Sequence, residues 1–123
     1  MRALVVSNAA AARHSMREIL TKVSFQVSEA SDVRGAMEVL GEVWPVDLAL
    51  VDWALPGDGG LRFVRTVRSS REHATMRLIM MTSRLEMTEV FDAIRAGVDD
   101  YLAKPITRKR TLEKLAELRF YAV

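Results

Sequence analysis

The stretch Val46-Asp47-Leu48-Ala49-Leu50-Val51-Asp52 runs directly into Trp53-Ala54-Leu55-Pro56-Gly57-Asp58-Gly59-Gly60. A short apolar run closed by turn-forming residues reads as a strand buried on both faces, the kind found in the middle of a parallel sheet. The run ends in a carboxylate. Open α/β sheets hold their ligands at the carboxyl edge of the strands, so Asp52 stands where a reactive acid belongs.

Working outward, short apolar runs alternate with helical periodicity along the whole chain, the mark of strands joined by crossover helices. Strands are expected at Ala3 to Val6, Gln26 to Glu29, Leu48 to Val51, Leu78 to Met81 and Tyr101 to Ala103. The first two helices carry apolar faces of Met16, Ile19, Leu20 and Val23, then Ala36, Val39, Leu40 and Val43, with Asp32 placed to cap the second. Leu61, Val64 and Val67 mark the third. Met87, Val90, Phe91 and Ile94 mark the fourth, which Gly97 ends, and Leu112, Leu115 and Leu118 mark the fifth. The expected fold is a doubly wound α/β domain with a parallel sheet of five strands and five helices.

Right-handed crossovers bring all strand carboxyl ends to one edge. The polar residues that follow them therefore converge: Ser7 and Asn8 after the first strand, Asp52 after the third, Thr82 and Ser83 after the fourth, Lys104 after the fifth. Taken singly, a hydroxyl or amide there reads as a helix cap, and Ser7 or Asn8 needs no other role than capping the first helix. An acid, a hydroxyl and a lysine at three different strand ends read as a site.

The 123 residues fit a single domain spanning 1–123, and there is no cysteine, which excludes disulfides and thiolate chemistry. His14 and His73 stand apart and make no zinc motif. No run approaches the length of a membrane span and no signal peptide is evident, so a cytoplasmic protein is expected. The net charge is only +2, spread over scattered arginines. Arg62, Arg65, Arg68 and Arg71 at helical spacing and Arg108-Lys109-Arg110 stand out, but no aromatic residues interleave with them, and nucleic acid is not expected as a partner of this domain alone.

The chain resembles the receiver domains of bacterial two-component response regulators, which have the flavodoxin-like fold of the chemotaxis response regulator, a protein whose strand order 2-1-3-4-5 is a standard example. The carriers are Leu48 to Trp53 with Pro56, Gly57 and Gly60, then Met80-Met81-Thr82-Ser83, and Ala96-Gly97-Val98-Asp99-Asp100-Tyr101-Leu102-Ala103-Lys104-Pro105. The resemblance implies that Asp52 accepts a phosphoryl group from a histidine kinase or phosphotransfer protein. It also implies that Lys104 pairs with Asp52 and then with phosphoryl oxygens, that Thr82 turns inward to the phosphate, and that Tyr101 rotates with it as a switch. It implies a cis Lys104-Pro105 bond, and contact with an effector or output domain, or with a second copy, through the fourth helix, fifth strand and fifth helix. Asp99, Asp100, Tyr101, Lys109 and Arg110 lie on that face.

One departure is chemically decisive. The family's pattern has two acidic residues after the first strand, which hold magnesium with the phosphorylated aspartate; here they are Ser7 and Asn8. Magnesium prefers charged oxygens in an octahedral shell, and only the Asp52 carboxylate, the Ala54 carbonyl and the Asn8 amide remain. At an effective dielectric near 20, each missing charge about 4 Å away removes roughly 4 kcal/mol of attraction per unit of cation charge, before desolvation offsets it. A net loss of about 3 kcal/mol weakens binding roughly a hundredfold. Weak or absent magnesium binding is expected, with an Asp52–Lys104 ion pair in its place and Arg84 adding positive charge at the rim.

Two other readings differ in kind. One is a phosphorylation-independent pseudo-receiver that signals through protein contacts, or that holds a cyclic dinucleotide or similar phosphate-rich ligand through Arg62, Arg65, Arg68, Arg84, Arg108 and Arg110. The other, a flavin-binding protein of the same topology, lacks a phosphate-cradling loop after the first strand. A self-sufficient enzyme is not expected, because no nucleophile has an adjacent general base.

Overall fold

The computed structural model describes residues 1–83 and 86–120. Strands and helices alternate as β1 (Arg2–Val6), α1 (Ala10–Lys22), β2 (Gln26–Ala30), α2 (Val33–Glu42), β3 (Leu48–Asp52), α3 (Gly59–Ser69), β4 (Arg77–Thr82), α4 (Met87–Ala96), β5 (Asp100–Ala103) and α5 (Arg108–Glu117). The sheet is parallel with the order β2-β1-β3-β4-β5, the expected flavodoxin-like arrangement. Several strands run one residue further than the apolar runs alone mark, because the ladder continues into polar residues: Asp52 is paired with Met81, and Thr82 with Ala103.

Side chains alternate across a strand, so each central strand feeds two cores. Leu4, Val6, Ala49, Val51, Leu78 and Met80 join Ala36, Leu40, Phe63, Val64, Val67 and Ala93 of α2, α3 and α4. Ala3, Val5, Leu48, Leu50, Ile79, Met81 and Leu102 join Met16 and Leu20 of α1 and Leu115 of α5 on the other face. This two-sided burial explains why the strands are apolar throughout. Leu118 and Phe120 pack against the second core, and the Phe120 ring meets Phe25 edge-on at 5.5 Å. Tyr121 to Val123 lie outside the described residues. No helix among the described residues is long and apolar enough to cross a membrane.

Asp32 caps α2 by accepting the Gly35 amide at 2.7 Å, as its position predicts. Helix α1 has Ala9 at its N-cap and no side-chain cap there, so neither Ser7 nor Asn8 occupies that position. Helix α3 differs from its expected face: Phe63, Val64 and Val67 are buried, while Leu61 is only half-buried. Helix α4 differs more. Of its apolar residues only Val90 and Ala93 are buried, leaving Met87 62 %, Phe91 50 % and Ile94 50 % exposed. A period of 3.6 marks a helix but not which apolar side meets the sheet, and here the smaller residues do.

Two glycines are required where they stand. A Cβ on Gly60 would lie 2.7 Å from the Trp53 ring, which packs directly on the start of α3. Gly97 has φ of +123°, and a Cβ there would meet Arg68 Cγ at 2.5 Å.

Candidate functional site

Asp52 is the last residue of β3 and only 3 % exposed. Backbone hydrogen bonds run on past the strand ends and fix the segments around it: Ser7 N–H to Ala30 C=O at 3.0 Å, Trp53 N–H to Met81 C=O at 2.8 Å, and Lys104 N–H to Thr82 C=O at 2.8 Å. The chain is thus held at the points where the site's side chains depart. Lys104 follows β5 and is joined to Pro105 by a cis peptide bond, as the resemblance implies; Trp44-Pro45 is also cis.

Both oxygens of Asp52 have donors. Oδ1 accepts from Lys104 Nζ at 2.7 Å and from the Ala54 amide at 2.9 Å. Oδ2 accepts from Ser7 Oγ at 2.9 Å. Burial opposes ionisation of the carboxyl, but the hydrogen bonds from Lys104, Ala54 and Ser7 and the charge of Lys104 outweigh it, so the pKa lies below the ordinary aspartate value. Asp52 is therefore an ionised, oriented carboxylate at neutral pH.

Ser7 is completely buried. Its Oγ accepts the Ala9 amide at 3.2 Å, which leaves its own proton for Asp52. Its carbonyl accepts from Arg13 Nη1 at 2.6 Å, and Arg13 Nε lies 3.3 Å from Glu29 Oε1. The other Glu29 oxygen accepts from Arg17 Nε at 2.6 Å, and this hydrogen bond, with the positive charge of both arginines, holds the Glu29 carboxyl below its ordinary range despite some burial. Sequence reasoning did not find Arg13 or Glu29. The available signal was β2-β1-β3 adjacency, which places the residues after β1 beside both Asp52 and the end of β2.

This donor set does not fit magnesium. The Asp52 oxygens are engaged by an ammonium, an amide and a hydroxyl, and Asn8, the remaining side-chain candidate, is exposed. Among the described residues no three His, Cys, Asp or Glu side chains are grouped to hold a metal ion. The guanidinium of Arg13 on the Ser7 carbonyl adds positive charge on the side where acidic residues would have to stand.

The other expected residues are placed as follows. Thr82 is buried and lines a cavity of about 280 Å³ with Trp53, Ala54, Ser83 and Glu89, on the α3–α4 side of the sheet. Asp52 and Lys104 open instead onto a cavity of about 290 Å³ whose walls are mainly Ala11, Ala12, Met16, Ile19, Pro105 and Ile106. Tyr101 is half-buried against the α2–α4 core, with Lys114 Nζ 5.6 Å from its ring centre. Arg84 lies outside the described residues.

The arginines divide. Arg68 is consumed internally: it donates to the carbonyls of Gly97, Ala74 and Met76 and to Asp99 Oδ2, at 2.8, 2.9, 2.6 and 2.9 Å. Arg62 and Arg65 are exposed on α3, while Arg108 and Arg110 are exposed on α5, which packs against the opposite face of the sheet. They do not line one common surface. The charged face around β5 is likewise less open than its sequence implies, since Asp99 also lies 3.6 Å from Arg77 and Asp100 pairs with Lys114 at 3.1 Å.

An ionised aspartate at a strand's carboxyl end, bonded to a lysine from the β5–α5 turn in a 2-1-3-4-5 parallel sheet, is the arrangement of a receiver. The sequence profile described as the response regulator receiver domain matches residues 3–116, and the chain belongs to that family. It is 34 % identical over 114 residues to the phosphate regulon transcriptional regulatory protein PhoB of Klebsiella pneumoniae, covering 93 % of this chain but 49 % of that protein. The chain thus spans about half the length of that relative. It is 32 % identical over 119 residues to a chemotaxis protein CheY homolog of Campylobacter jejuni, covering 96 % of this chain and 92 % of that one. Among solved structures, the chemotaxis response regulator CheY4 of Vibrio cholerae superposes with a TM-score of 0.88 at 21 % identity, over 95 % of this chain and 97 % of that one, which shows the shared fold. The domain is a response regulator receiver of two-component signalling.

Proposed function

We propose that Asp52 is the phosphoacceptor of this receiver, taking a phosphoryl group from a histidine kinase or phosphotransfer protein at a site with weak or absent magnesium binding. The observation that carries this is the Lys104–Asp52 contact at 2.7 Å: it keeps a buried carboxylate ionised and sets a cation where phosphoryl charge develops. A carboxylate oxygen attacks phosphorus and the donor's P–N bond breaks. The electron pair stays on the imidazole nitrogen, which takes up a proton from water. The cavity beside Asp52, walled by Ala11, Ala12, Ile19, Pro105 and Ile106, supports approach of the donor from the side of α1 and the β5–α5 turn.

In this reading Thr82 receives a phosphoryl oxygen and Tyr101 carries the change to the outer surface. The output surface is the side of α4, β5 and α5, where exposed Met87, Phe91 and Ile94 support contact with a second copy or an effector. The test is exposure to phosphoramidate followed by intact-mass measurement. Gain of one phosphoryl group, lost in Asp52→Asn, supports the assignment. An unlabelled wild-type protein favours the phosphorylation-independent pseudo-receiver.

A further inference from the structure

We propose that Ser7 is a positioning residue that takes over the cation's hold on the acceptor carboxylate, so that phosphoryl transfer to Asp52 proceeds without a metal. The proposal rests on the reading of Asp52 as phosphoacceptor. Three observations support it. Ser7 is fully buried with its Oγ 2.9 Å from Asp52 Oδ2, and its acceptor side is committed to the Ala9 amide, so the hydroxyl proton has one direction to point. The Ser7 backbone is pinned on both sides, its amide to Ala30 at 3.0 Å and its carbonyl to Arg13 at 2.6 Å, with Arg13 braced against Glu29. The charge of Asp52 is already matched by Lys104, leaving no surplus of negative charge for a divalent ion to neutralise.

The two carboxylate oxygens are then unequal. Oδ1 carries an ammonium and an amide and loses basicity, whereas Oδ2 carries one neutral hydroxyl and is the better nucleophile. Attack by Oδ2 forms the O–P bond as the donor's P–N bond breaks, with the electron pair and a proton from water going to nitrogen; nothing is oxidised or reduced. As the acyl phosphate forms, Oδ2 becomes a poor acceptor, and the Ser7 hydroxyl and Lys104 ammonium turn to the phosphoryl oxygens, where the charge has moved.

The experiment compares wild type, Ser7→Ala, Ser7→Thr and the double variant Ser7→Asp with Asn8→Asp, each treated with phosphoramidate in chelator and in excess magnesium. Labelling is followed by intact mass, and Trp53, adjacent to Asp52, reports metal through its fluorescence against a constant contribution from Trp44 at the opposite edge. Wild type is expected to label at the same rate in both conditions, with no fluorescence response to magnesium. Loss of a hydrogen bond to a charged group makes Ser7→Ala slower by about tenfold or more, and Ser7→Thr recovers most of the rate. The double variant gains a fluorescence response and labels only with magnesium. Acceleration of wild type by magnesium, or Ser7→Ala labelling as fast as wild type, overturns the proposal. If wild type takes no label at all, the acceptor reading fails instead, and fluorescence decides for Ser7: a response in the double variant alone supports its place at the metal position, and any other pattern overturns it. Should the double variant fail to fold by circular dichroism, the rates and metal responses of wild type, Ser7→Ala and Ser7→Thr decide.

Discussion

Lys104 and Asp52, 52 residues apart in sequence, meet at 2.7 Å at the carboxyl edge of the sheet, the lysine half-buried and the aspartate almost wholly so. This contact sets both the ionisation of the acid and the charge balance of the pocket.

Replacing Lys104 by methionine leaves the Asp52 carboxylate buried with only the Ser7 and Ala54 donors. The wild-type Asp52 pKa is lowered by folding, so its ionisation stabilises the fold above the unfolded-state value near 3.9, and that stability is lost as pH falls through the folded-state value. Without the lysine that stabilisation is reduced, because burial is then opposed only by the Ala54 and Ser7 hydrogen bonds. Urea unfolding of Lys104→Met at neutral pH is expected to show a loss of about 2 kcal/mol that shrinks as the medium is acidified.

Glu29 gives a second pH signature, since Arg17 and Arg13 lower its pKa. Its contribution is present above its unfolded-state value near 4.3 and vanishes as pH falls through the lower folded-state value. Glu29→Gln is expected to cost about 1 kcal/mol at neutral pH and nothing in strong acid, measured as the difference between the two unfolding curves.

Arg68 clamps the end of α3 to the segment before β4 and to the turn before β5, with three carbonyls and Asp99 as its partners. Arg68→Ala strands these acceptors and removes packing from Gly97. A loss of about 2–4 kcal/mol is expected in chemical denaturation. Gly97→Ala should also destabilise, through its positive φ and the approach of Arg68.

The exposed side of α4 separates fold from association. Phe91→Arg is expected to change unfolding free energy by no more than about 0.5 kcal/mol. Sedimentation velocity of the phosphorylated protein should show weakened self-association in that variant. Unchanged association would remove α4 from any self-association surface.

The gathering of Asp52 and Lys104 at one edge was legible because both residues end apolar runs, and parallel topology sends all such ends to one edge; the strand order and the pairing of these two side chains were implied by the resemblance to receivers. The Ser7 hydroxyl bond was not legible in the same way. A serine after a strand reads as a cap until β1 and β3 are known to be neighbours and its rotamer is fixed by Ala9. Helix α4 was legible as a helix but not in its orientation, since Met87, Phe91 and Ile94 carry the apolar period as well as Val90 and Ala93 carry the burial. The fate of Arg68 depends on carbonyls 6, 8 and 29 residues further along, brought to it by the turns before β4 and β5, which no spacing of arginines along α3 encodes.

Calorimetric titration of the purified domain with magnesium tests the proposed metal-poor acceptor site most directly. Heats indistinguishable from dilution are expected for wild type, because the Asp52 oxygens are held by Lys104, Ala54 and Ser7. Saturable binding at sub-millimolar magnesium, lost in Asp52→Asn, would contradict it.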